Sequence, residues 1–242
     1  MRWVLVLGVV GVVAVLAVGG LFLARRTSGE EWQGGARSLP RDRGQPVHYV
    51  ALGDSTVAGI GASSPEKHYV GVMYARLREV YPQARLTNLG VSGATSADVV
   101  RGQLRRAVEL RPQLVTLSIG PNDITQGKDA KQYEQNIETI FRTLARETEA
   151  TVVVNLLPDM AIAPRFTADQ KAAVGRQAQL FNDVLRRQGE RYGVELVDLY
   201  TASQRETPQH PEWLSGDAYH PSDAGYARWA EIMWEGVAAR LE

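Results

Sequence analysis

An apolar run, Val47 to Leu52, stops at Gly53-Asp54-Ser55 and gives way to the small residues Thr56-Val57-Ala58-Gly59. A buried parallel strand ends this way when it delivers its last residues to the crevice at the carboxyl edge of a sheet, where open α/β domains bind ligands. A serine there offers a nucleophilic hydroxyl, and its N–H lies near a helix start that favours negative charge. Far along the chain, Asp217-Ala218-Tyr219-His220 sets a carboxylate three residues before an imidazole. Between the two lie a glycine turn, Gly90-Val91-Ser92-Gly93, and a Gly120-Pro121-Asn122-Asp123 turn that carries a neutral amide. Taken singly, each is ordinary: glycines and Pro-Asn-Asp make turns, Asp caps helices and Pro starts them. Taken together, they supply a hydroxyl, a base, a carboxylate to orient the base, and N–H donors for an oxyanion. Acyl transfer needs that set.

Something must bring these distant positions to one place. Strand patterns occur at Val47–Leu52, Arg85–Leu89, Leu114–Ile119, Thr151–Leu156 and Val194–Leu199. Helical patterns fill Tyr69–Val80, Ser96–Leu110, Ala130–Glu149, Ala168–Tyr192 and Ser222–Leu241. Alternation of strand and helix implies right-handed crossovers and a parallel sheet. The runs Leu114–Ile119 and Val152–Leu157 lack apolar/polar alternation, as strands covered on both faces do. The expected fold is a three-layer α/β/α sandwich on a central five-stranded parallel sheet. All four motif loops then leave the same sheet edge.

Composition narrows the chemistry. The 242 residues carry 27 basic and 27 acidic side chains, so no global field points to nucleic acid. With no cysteine, disulfides, thiolate catalysis and Cys-based metal sites are excluded, and four histidines are too few for a His-rich metal cluster. The N-terminus is different material: Trp3–Ala24 is 22 residues without a charge, flanked by Arg2 and Arg25-Arg26. At about 1.5 Å per residue such a helix crosses roughly 30 Å of hydrocarbon. Residues 1–26 are therefore expected to be a transmembrane anchor, or a signal segment cleaved near Ala17-Val18-Gly19 to release a secreted domain. The basic residues after the span favour a cytoplasmic domain on the positive-inside rule, whereas the likeness to an uncleaved signal favours an extracytoplasmic one, which is the side expected here. Residues 27–46, rich in Gly, Ser, Arg and Pro, read as a flexible tether, leaving 47–242 as the globular domain.

With these residues in view, the chain resembles the SGNH, or GDSL-type, serine hydrolases, whose four sequence blocks contain Ser, Gly, Asn and His. The blocks are Gly53-Asp54-Ser55, the Ser92-Gly93 turn, Gly120-Pro121-Asn122-Asp123 and Asp217-Ala218-Tyr219-His220. The resemblance implies the flavodoxin-like SGNH hydrolase fold and assigns roles. Ser55 would be the nucleophile, His220 the general base and Asp217 its orienter. The N–H groups of Ser55 and Gly93 and the amide of Asn122 would form the oxyanion hole. Activity would rise with pH as the imidazole loses its proton. No metal or organic cofactor is needed, and the substrate would be a small-molecule or lipid ester: an acyl lipid, a lysophospholipid, a thioester or an acetylated sugar.

Asp54 and Asp123 are expected to brace their turns rather than touch substrate. Asp198 reads as a strand terminator, and His48, His68 and His210 as packing or surface residues. Met160-Ala161-Ile162-Ala163-Pro164-Arg165-Phe166 reads either as a wall of an acyl pocket or as a packed loop. Two other classes stay open. A flavin or nucleotide binder would lack a Gly-rich phosphate cradle and leave Asp217 and His220 idle. A non-catalytic, membrane-tethered carbohydrate- or lipid-binding module would have no need of all five groups.

Overall fold

The computed structural model describes Trp32 and residues 34–242. The expected N-terminal span lies outside the described residues, and among those described no helix is long and apolar enough to cross a membrane. The strands are β1 (His48–Gly53), β2 (Arg85–Asn88), β3 (Leu114–Ser118), β4 (Thr151–Asn155) and β5 (Glu195–Val197). They form one parallel sheet in the order β2-β1-β3-β4-β5. The chain leaves β1 in one direction and returns past it to β3, so the order reverses between β1 and β3, the place where a doubly wound sheet opens a crevice. Ser55 follows one of these strands and Asn122 the other.

The helices are α1 (Ser55–Ala58), α2 (Tyr69–Val80), α3 (Ser96–Asp98), α4 (Leu104–Glu109), α5 (Pro121–Thr125), α6 (Ala130–Glu147), α7 (Ala168–Tyr192), α8 (Leu199–Glu206) and α9 (Asp223–Ala238). A π turn, Val99–Gln103, joins α3 to α4. The period-2 geometry of β1 sorts its side chains between two cores. Val50 and Leu52 pack with Ile137 and Phe141 of α6 and Phe181 of α7. Tyr49 and Ala51 pack with Met73 and Leu77 of α2 and Met233 of α9. The spacing of Tyr133, Ile137, Ile140, Phe141 and Leu144 gives α6 one continuous buried stripe.

Two boundaries differ from the sequence reading. The run Val194–Leu199 is divided, because Asp198 caps α8 by accepting from the Thr201 N–H at 2.9 Å. Residues 34–46, read as tether, lie along the domain. Leu39 is buried, its N–H donates to the Arg240 carbonyl at 2.8 Å, and Arg43 bonds Tyr81. One apolar side chain with a place in the core outweighs the flexible composition around it.

Candidate active site

β1 ends at Gly53, whose φ of 144° lies in the region that favours glycine. A Cβ there would lie 2.0 Å from the Ser118 carbonyl oxygen, so a side chain would force β1 and β3 apart. The next residue, Asp54, caps α1: one carboxylate oxygen accepts from the Thr56 N–H and hydroxyl, both at 3.0 Å. Ser55 is thus the first residue of a helix, and its N–H belongs to the donors a helix start leaves unpaired.

The Asp217–His220 turn comes to the same edge from between α8 and α9. Asp217 Oδ1 accepts from the backbone N–H groups of Tyr219 and His220, each at 2.9 Å, and from the Ser215 hydroxyl at 2.9 Å. These bonds hold a turn in which Ala218 occupies left-handed backbone, φ 56°, a conformation that costs a non-glycine residue about 1–2 kcal/mol. The other oxygen, Oδ2, accepts from His220 Nδ1 at 2.5 Å. With that proton on Nδ1, Nε2 is the acceptor, and Ser55 Oγ donates to it at 2.8 Å. Burial would raise the Asp217 carboxyl, but the hydrogen bonds from the His220 side chain and backbone, Ser215 and Tyr219 outweigh it. They hold the group well below the ordinary carboxylate range, so it stays ionised beside the imidazole.

The glycine turn is tied to the same place. Val91 N–H donates to the Gly53 carbonyl at 3.1 Å, and the Asn88 amide reaches the Val57 carbonyl at 2.7 Å. Gly93, φ 81°, stands at the open end of this turn. Asn122, on α5, donates one amide N–H to the Ala94 carbonyl at 2.9 Å, which leaves its second N–H for another acceptor. Asp123 accepts from the Ser96 N–H at 2.8 Å and hydroxyl at 2.5 Å, fastening the glycine loop to the Asn122 loop. Burial raises the carboxyls of both Asp54 (to about 6) and Asp123.

Three further features support the site, two of them missing from the sequence reading and the third foreseen only along one wall. Buried Gln103 lies on the π turn and bonds Gly53. Its position in a helical pattern gave no sign that it faces inward. Tyr219 packs edge-on against the His220 ring at 5.1 Å, and Arg165 lies over the Tyr219 ring at 4.3 Å. The third is a cavity of about 920 Å³, mouth included, that opens beside Ser55 and His220. Met160, Ile162 and Ala163 form one wall, and Leu199 of α8 and Trp229 of α9 form others. Asp198 caps a helix, His48 bonds Thr87, and His210 stacks on Trp213, all apart from the Ser55–His220 pair. Among the described residues no cluster of His, Asp and Glu is placed to hold a metal ion.

Residues 51–228 match the GDSL-like lipase/acylhydrolase family. A GDSL-like esterase of Mycobacterium tuberculosis is 30% identical over 206 residues, covering 82% of this chain and 62% of the relative. The chain therefore spans less than two thirds of that protein. The esterase TesA of Pseudomonas aeruginosa is 25% identical, covering 76% of this chain and 85% of its own. Among solved structures, LAE5, an α/β hydrolase from the metagenome of Lake Arreo, superposes with a TM-score of 0.65 at 25% identity. That match covers 81% of this chain and 97% of LAE5.

Proposed function

The chain belongs to the GDSL-like lipase/acylhydrolase family, and on that premise we propose that it is a serine esterase acting through Ser55, His220 and Asp217. One observation carries the reading: Ser55 Oγ lies 2.8 Å from His220 Nε2, while the opposite ring nitrogen is 2.5 Å from Asp217. Residues 165 positions apart in sequence meet in the order nucleophile, base, orienter. The relatives named as esterases support ester hydrolysis in general.

Ser55 Oγ attacks the ester carbonyl as its proton passes to His220 Nε2. The carbonyl oxygen becomes an oxyanion that the N–H groups of Ser55 and Gly93 and the free amide N–H of Asn122 would receive. Collapse breaks the bond to the alcohol, which leaves with the proton from Nε2. Water then attacks the acyl-enzyme, again giving its proton to His220, and the acid departs as Ser55 regains its hydrogen. Asp217 keeps the imidazole tautomer fixed and stabilises the imidazolium in both halves. Its carboxyl, held ionised, suits that role. The first 26 residues, read from sequence alone, would hold this domain at a membrane or direct its export.

The test is hydrolysis of p-nitrophenyl esters by the full chain and by Ser55→Ala. Activity that falls by three orders of magnitude or more in the variant supports the reading. A variant as active as its parent refutes it.

A further inference from the structure

The cavity beside Ser55 has a composition that selects one part of an ester. Its walls between the catalytic edge and α9 are apolar, from Met160, Leu199, Ala202, Trp229 and Ile232. Besides Asp54 and Asp159, whose carboxylates accept from the Thr56 and Ala161 N–H groups, two charged residues line it, Glu206 at the end of α8 and Arg228 on α9. They face each other as a bidentate pair, with Arg228 Nε and Nη2 donating to the two Glu206 oxygens at 2.7 and 2.9 Å. Arg228 also bonds Glu231 at 2.9 Å. These charges satisfy one another, so they call for no charged ligand. An apolar chain pushed against them would strip water from a paired charge without replacing its hydrogen bonds, which is unfavourable.

The two halves of an ester have different fates. The alcohol must escape to solvent once His220 has protonated it, whereas the acyl group stays bonded to Ser55 until water arrives. An apolar chamber suits the group that stays. Leu199 begins α8 at the sheet edge and Glu206 ends it, about 10 Å further along at about 1.5 Å per residue. A staggered carbon chain with bonds of about 1.5 Å advances roughly 1.3 Å per atom, so about eight carbons match that wall. We propose that the chamber between α8 and α9 is the acyl site and that the Glu206–Arg228 pair is the stop that limits acyl length. This inference rests on the serine-esterase reading and narrows its substrate class to esters of medium-length, unbranched carboxylic acids.

The test is kcat/KM of the full chain on p-nitrophenyl esters from acetate to palmitate, with a parallel series of acetates of lengthening alcohols. The acyl series should climb about four-fold per methylene to about eight carbons and then fall. Ala202→Trp fills the chamber and should lower the octanoate-to-acetate ratio at least ten-fold. Removing both charges together, as E206A/R228A, opens the stop and should raise the dodecanoate-to-octanoate ratio at least ten-fold. Neither variant should redirect the alcohol series. Thermal melting checks that each variant folds, and either one that does decides the matter. Acyl profiles that match the parent, or a shift in the alcohol series instead, overturn the inference while leaving Ser55-dependent hydrolysis intact. If the parent hydrolyses no ester, the esterase reading fails and this inference with it.

Discussion

Gln103 holds Gly53 by both ends of its peptide: the side-chain amide donates to the Gly53 carbonyl at 2.8 Å and accepts the Gly53 N–H at 2.9 Å. The residue that frees Ser55 to turn into the crevice is thereby fixed from the far side by a π turn, a helix irregularity often found at functional sites. Gln103→Leu keeps the volume but leaves the Gly53 N–H buried without its partner. Such a group costs about 1–3 kcal/mol, so urea denaturation should show a loss of that size. With the Ser55 turn loosened, kcat should fall more than KM rises. A variant as stable and as fast as its parent would show that the clamp does nothing.

In the proposed mechanism Asn122 would meet the reacting carbonyl through its second amide N–H, since the first is committed to Ala94. Asn122→Ala should lower kcat by about 100- to 1000-fold, with KM nearly unchanged because the donor acts on the oxyanion. A loss confined to KM would instead assign Asn122 to ground-state binding.

Asp217→Asn keeps the bonds that Oδ1 accepts but removes the charge facing His220 Nδ1. The imidazole is then free to take the wrong tautomer, and kcat should fall on the order of 10⁴-fold. A loss under ten-fold would mean that the turn alone orients His220.

Buried carboxyls make stability depend on pH in a direction that can be worked out. Burial raises Asp54 from 3.8 to about 6, against the bonds from Thr56 and the nearby His220, which lower it. Between about pH 4 and pH 6 the unfolded chain has released this proton and the folded chain still binds it, so stability falls as pH rises. The 1% exposure of Asp54 leaves little solvent screening, and the shift corresponds to roughly 3 kcal/mol. Its second oxygen has no hydrogen-bond partner, so Asp54→Asn puts an amide where no bond is lost and removes the titration. The stability of the variant relative to its parent should therefore climb by roughly 3 kcal/mol from pH 4 to pH 7, measured by urea denaturation. Parallel curves would contradict this. Asp217 works in the opposite sense: its lowered carboxyl adds stability above 3.8 that is lost as the solution is acidified below that value.

Much of this architecture was legible because chemistry and burial leave strong marks. The apolar runs at β1, β3 and β4 belong to strands buried on both faces, and their ends announce the loops. Asp217 and His220, three apart, announced a turn able to hold a carboxylate beside an imidazole. Other features left weaker marks. Gln103 falls within the helical pattern Ser96–Leu110, and nothing in such a pattern records that a π turn carries it inward. The sequence pattern assigns α8 to no element and takes its first residue, Leu199, into the preceding strand, because Leu199 continues the apolar run past the Asp198 cap. Half of the chamber was visible in the Met160–Phe166 stretch, while the half made by α8 and α9 consists of side chains indistinguishable from ordinary core. Leu39 is one apolar residue in a polar stretch, too little to reveal that this stretch packs.

The central claim is that Ser55 is a nucleophile activated by His220, and covalent trapping tests it most directly. The full chain should react with a fluorophosphonate, gaining one phosphonyl group per molecule, with the added mass on the peptide that contains Ser55. His220→Ala should slow that reaction by orders of magnitude, and Ser55→Ala should abolish it. Label on another residue, or labelling that persists in Ser55→Ala, would contradict the account.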